Sequence, residues 1–138
     1  MTMPREDFAN NVLETAGQAG EFIPQAYYDP DGDCIEFIAK PDPFYGERID
    51  DLVTVYYSQD SGEIIGSLIK GVSVFLKKLS KQLPGFRISI EDHGVRLEHI
   101  FQARVWVSTE PEKLPIIQYR KLEELAKETH AKADMIGV

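Results

Sequence analysis

The period of the apolar residues changes from strand to helix at Gly71, and no other feature limits the chain's possible folds so strongly. Before that point, from Pro24 to Ile69, short apolar runs alternate with Pro, Gly, Asp and Ser, the pattern of strands joined by turns. After it, Val72, Phe75, Leu76, Leu79 and Leu83 recur at helical spacing, while Lys77, Lys78 and Lys81 point away. Strands followed by helices bury their apolar surface as an α+β fold. The 138 residues suit a single domain, 1–138, large enough to build its own core.

The strand region reads as follows. QAYY leads into the tight connection DPDGD, and CIEFIAK then alternates, with Ile35 and Phe37 on one face and Glu36 and Lys40 on the other. PDPFYGERIDD is expected to be a looser connection, because its two prolines cannot donate to a ladder. LVTVYY is a central strand, SQDSGE a turn and IIGSLI the next strand. Connections this short favour an antiparallel meander of about five or six strands once FRISIE is added. Phe37, Val55 and Ile65 are its expected core, with Glu36 and Thr54 exposed beside them.

Helices are expected at the N-terminus, in the middle and at the C-terminus. Pro4–Ala16 is amphipathic and is stopped by Gly17 and Gly20. The helix that begins at Val72 is closed by Pro84 and Gly85. The last helix, Ile116–Lys132, carries Leu122, Leu125, Ala126 and Thr129 on its packing side. Glu123–Lys127 and Glu128–Lys132 form favourable i,i+4 pairs, and His130 complements the helix dipole. VRLEHIFQARVWV, with Val95, Leu97, Phe101, Val105 and Val107 in phase, reads as a long strand after the DHG turn. The same stretch offers Leu97, Ile100, Phe101 and Val105 at helical spacing; its β-branched end favours the strand.

YYDPDGDCIEFIAK, a polar connection, and IDDLVTVYYSQDSGEIIGSLIKGVS together resemble the small domain family catalogued as DUF2283. The resemblance covers roughly residues 27–73 and implies only structure, a small meander followed by a helix, because the family has no established activity. Ser67-Leu68 departs from the family pattern, which has an apolar residue and then an acid after the glycine.

Charge is unevenly spread. Met1–Lys70 holds 14 acids and 4 bases, whereas Gly71–Val138 holds 9 acids and 11 bases, within a net charge of −8. The acidic half repels phosphates, so nucleic-acid binding falls to the second half, where Lys77, Lys78 and Lys81 cluster; a solvated helix face is the better reading of those lysines. A signal peptide and a membrane span are not expected, since MTMPREDFANN lacks an apolar core and the longest apolar runs are strand-sized. Cys34 is the only cysteine, which fits a reducing cytoplasm and reads as a small core residue.

The spacing of Asp29, Asp31 and Asp33 invites comparison with a calcium loop. Counting from Asp29, the sixth position is Cys34 instead of glycine and the twelfth is Lys40 instead of an acid, so a turn is the better reading. Asp92, His93, Glu98 and His99, with Glu91, supply ligand types for a metal, but a polar hairpin tip is the better reading. GVSVF lacks the second glycine of a nucleophile elbow, and GEIIGSL lacks the spacing and the Lys-Ser/Thr of a phosphate loop. No catalytic residue and no cofactor are expected. The leading expectation is a non-enzymatic cytoplasmic interaction or regulatory module, a homodimer formed through residues after Gly71. The alternatives are a small-molecule-binding or metal-dependent enzyme with its site near His93 and His99, and nucleic-acid binding by the second half.

Overall fold

A computed structural model of the chain describes residues 22–82, 90–91, 94–108 and 110–135. The expected helix Pro4–Ala16 and most of FRISIE lie outside the described residues. Five strands, β1 (Gln25–Asp29), β2 (Cys34–Ile38), β3 (Phe44–Arg48), β4 (Val53–Ser58) and β5 (Ile64–Lys70), form one antiparallel sheet. They are followed by α1 (Val72–Gln82), β6 (Ile90–Glu91), β7 (Gly94–Arg96), α2 (Leu97–Trp106), α3 (Ile116–Thr129) and β8 (Lys132–Asp134). The α+β class is as the change of period implies.

Strand order in the large sheet is β1-β2-β5-β4-β3. β3, β4 and β5 meander, but β2 pairs with β5, so the chain from β2 must cross to the far edge before it continues. Residues 39–43 make that crossing along the strand ends: Ala39 N–H donates to Ile65 O at 2.8 Å and Gln59 N–H donates to Pro43 O at 2.8 Å. The result is a Greek key. PDPFYGERIDD is therefore more than a connection, since its middle is β3. Proline bars only the positions it occupies, and Pro41 and Pro43 stop just short of an edge strand, where proline is tolerated.

Alternation in the strands sorts residues to two faces. On one face Tyr28, Ile35, Ile69 and Val53 form one cross-strand row and Phe37, Ser67 and Val55 belong to the next. Val72, Phe75 and Leu79 of α1, Ile100 and Phe101 of α2, and Tyr119, Leu122 and Ala126 of α3 pack on it. On the opposite face Cys34, Ile38, Tyr56, Ile65 and Leu68 form a second cluster, joined by Phe22, Tyr27 and Phe44. Ile65 reaches that face because the register shifts opposite Tyr56 and Tyr57. Phe37, Val55 and Ile65 are all fully buried, as expected, although they serve different clusters. Glu36 is not exposed: it is 3% accessible and accepts a 2.6 Å hydrogen bond from Tyr56 Oη. Both sheet faces are covered at its position, so alternation fixes direction here without fixing exposure.

Two of the glycines bear directly on how the sheet is joined. Gly71 turns the chain from β5 into α1 with φ +63°. A Cβ at Gly66 would sit 2.0 Å from Phe37 O, so β5 approaches β2 there only without a side chain.

Within Val95–Val107 the stretch Leu97–Trp106 is helical, and there is no long strand. Only Gly94–Arg96 is extended, and it pairs with β6 and β8 in a small antiparallel sheet ordered β6-β7-β8. Leu97, Ile100 and Phe101 are buried, the helical alternative in the sequence, because α2 packs against α3 as well as over the sheet. α3 ends at Thr129, three residues before the expected Lys132. His130 takes a left-handed conformation, φ 52°, and Ala131 N–H donates to Ala126 O at 2.9 Å. Ala131, Ala133 and Met135 can then be buried by an extended chain. Lys132 thus lies in β8 and its i,i+4 pair with Glu128 does not exist, whereas Glu123 and Lys127 pair at 3.1 Å.

Candidate functional site

The three aspartates of the β1–β2 turn do separate work. Asp29 Oδ1 accepts from Asp31 N–H at 3.0 Å, closing an Asx turn, and Asp31 itself is exposed at the tip. Asp33, held at φ 49°, turns inward. Its carboxylate accepts from Tyr28 Oη at 2.9 Å, from Ser73 N–H at 3.0 Å and from Ser73 Oγ at 2.9 Å. Asp33 is thus a cap supplied from forty residues away to the first turn of α1, whose N–H groups have no partner in their own helix. Burial, and then the bond to Asp33, pushes the Tyr28 phenol up to about 12.

A second aspartate, in the turn before β4, ties the sheet to the helices. Asp50 Oδ1 accepts from Leu52 N–H at 2.9 Å and Val53 N–H at 2.8 Å. Its Oδ2 accepts from Tyr119 Oη of α3 and lies 3.5 Å from Arg104 Nε of α2. Arg104 also reaches Asp51 at 3.2 Å. Burial first and Asp50 second push the Tyr119 phenol far up. Tyr119, Arg104 and Asp50 come from three distant stretches, and nothing local in the sequence joins them.

The candidate metal ligands do not assemble among the described residues. Glu98 lies in the first turn of α2 and pairs with Arg96 at 3.7 Å, and His99 follows it with Nδ1 buried and no hydrogen-bond partner. Asp92 and His93 lie outside the described residues. No three His, Cys, Asp or Glu side chains among the described residues are placed to hold a metal ion. Cys34 is buried in the second cluster. His130 caps α3 through its backbone and does not sit within the helix. Lys77, Lys78 and Lys81 are exposed on α1, and Lys78 lines a cavity of about 370 Å³ with Lys70 and Arg104.

Two larger grooves flank α3. The first, about 540 Å³, runs between α3 and the β4–β5 turn; Tyr57, Ile64 and Leu125 give it an apolar lining, and Glu63, Glu124 and Glu128 outnumber Lys121 around it. Ile117, 69% exposed, stands at its margin. The second, about 510 Å³, lies between α3 and α2 and is bordered by Phe101, Val105, Trp106 and Arg120. Trp106, the single tryptophan, is 69% exposed. The two sheet edges also differ. β8 lies against β1, whereas no described strand pairs with the outer side of β3, and Tyr45–Arg48 is exposed throughout. No helix among the described residues is long and apolar enough to cross a membrane.

No family model, curated protein or solved structure matches the chain.

Proposed function

We propose that the protein is a non-enzymatic cytoplasmic interaction module that assembles as a homodimer through residues after Gly71. The observation that supports this reading is Trp106. An indole left 69% exposed at the end of α2, beside an open groove of about 510 Å³, is an anchor next to a receptacle. In a twofold dimer each Trp106 enters the groove of its mate, so one patch satisfies both copies. Arg120 and Glu123 border that groove and provide a polar rim with both signs of charge.

Light scattering at micromolar concentration is expected to give twice the 15.6 kDa chain mass. The emission of Trp106 should shift to the blue as the protein is concentrated. Trp106→Glu should yield a folded monomer with an unchanged far-ultraviolet dichroism spectrum. A parent protein that stays monomeric, or a Trp106→Glu variant that stays dimeric, overturns the proposal.

A further inference from the structure

The open edge β3 and the first groove belong to one surface, and the register shows how they connect. Ile64 on β5 pairs with Tyr57 on β4, and Tyr57 pairs with Tyr45 on β3. These three side chains form a row that leads from the groove floor out to the edge. Tyr45 stacks on Tyr57 with ring centroids 5.5 Å apart and remains 50% exposed. Among the described residues, no strand pairs with β3 beyond Tyr45.

The charge around this row is negative. Glu63, Glu124 and Glu128 border the groove, and Glu47 stands on the edge strand near enough to Tyr57 to raise its phenol after burial has done so. Lys121 lines the groove and Lys40 pairs with Glu63 at 3.3 Å, which leaves acid in excess. A second copy of this chain is a poor occupant. Antiparallel self-pairing of β3 would bring two acidic grooves together, and like charges across an interface suppress association.

We infer that β3 and the adjoining acidic groove take up an extended, basic segment of a partner protein, added to the sheet as a sixth strand. Backbone hydrogen bonds to β3 supply affinity that does not depend on sequence. Alternate residues of the added strand face the Tyr45–Tyr57–Ile64 row, and Glu47 stands on that same face, so lysines or arginines every second position lie over the groove with their aliphatic stems along the row. Their charged ends meet Glu47, Glu124 and Glu128, a cation over the exposed Tyr45 ring adds to this, and the intervening apolar residues lie on the opposite face beside Phe44, which packs on Tyr56. This surface shares neither Trp106 nor its groove, so it stands or falls apart from the dimer.

The probe is a fluorescein-labelled, end-capped decapeptide of alternating lysine and valine, titrated against the full chain and followed by anisotropy. Saturable binding is expected, at least about tenfold tighter than that of the glutamate–valine and lysine–serine peptides of equal length. Glu47→Lys combined with Glu124→Lys should weaken it by about tenfold or more, and Trp106→Glu should leave it unchanged. Amide exchange at Tyr45–Arg48 should slow when the peptide is added. Equal binding of the glutamate peptide, or of the lysine–serine peptide, overturns the inference, as does binding without protection of β3. Protection of β3 that rises with protein concentration in the absence of peptide would make a second copy the occupant and overturn it too.

Discussion

Asp33 and Asp50 look alike in the sequence, each an aspartate in a turn beside a strand, and each reaches far along the chain. Asp33 holds Ser73, forty residues on, and Asp50 holds Tyr119, sixty-nine residues on. The difference lies in what else fixes the element each one grips. α1 follows β5 directly through Gly71, so its start is placed by covalent connection and Asp33 adds a cap. α3 is separated from the sheet by two helices and a small strand pair, and Asp50 is a polar tether that holds it at the β4 end of the sheet. A capping carboxylate refines an element already in position, whereas a tethering one helps decide where the element goes.

Asp50→Ala should be the most damaging test of that contrast. It removes the acceptor for Leu52 and Val53 N–H and the partner of Tyr119, and it takes from Arg104 one of its two carboxylates. A loss of about 3–5 kcal/mol in chemical unfolding is expected. Asp33→Ala should cost about 1–2 kcal/mol, the usual range for a lost cap, and slow exchange should be lost first in the opening turn of α1. If the two variants lose equal stability, the distinction between cap and tether fails. Tyr119→Phe should cost about 1–2 kcal/mol, and much less in the Asp50→Ala background, where its partner is gone.

Smaller effects sharpen the same comparison. Tyr28 titrates at about 12 in the folded protein, above its ordinary value near 10. The neutral phenol is therefore favoured by folding, so its contribution is whole below about pH 10 and is lost as pH rises from 10 to 12. Tyr28→Phe should remove that part of the alkaline decline and cost roughly 1 kcal/mol at neutral pH, measured by urea unfolding across the pH series. Smallest of all should be the response to calcium. With Asp33 engaged by Tyr28 and Ser73, and Asp29 by the Asp31 backbone, calorimetry should detect no site tighter than about millimolar.

Much of this architecture is written in local pattern, and the exceptions have physical causes. α1 can be read from the spacing of Val72, Phe75 and Leu79, because one helix face meets one sheet face. α2 is harder, since Leu97, Phe101 and Val105 satisfy both the strand and the helix period; its conformation depends on α3 being present to pack against. β3 is hidden behind two prolines and has four exposed residues, so it carries almost no apolar signal. The row Tyr45–Tyr57–Ile64 joins three strands and is invisible until the register is known. Trp106 could have been singled out as the lone tryptophan, but its exposure follows only from the end of α2.

The sequence by itself determined the α+β class, the place of the change from sheet to helix, the faces of α1 and α3, and the turn character of DPDGD. Each of these follows from interactions within a few residues, which periodicity and turn chemistry record directly. Tertiary structure alone decided that β2 joins β5 and leaves β3 as an open edge, that Leu97–Trp106 coils, that Glu36 is buried, and that Asp50 meets Tyr119 and Arg104. Those outcomes are settled by contacts between residues tens of positions apart. A polar side chain shows in sequence what it can bond, but the fold chooses which partner comes within reach.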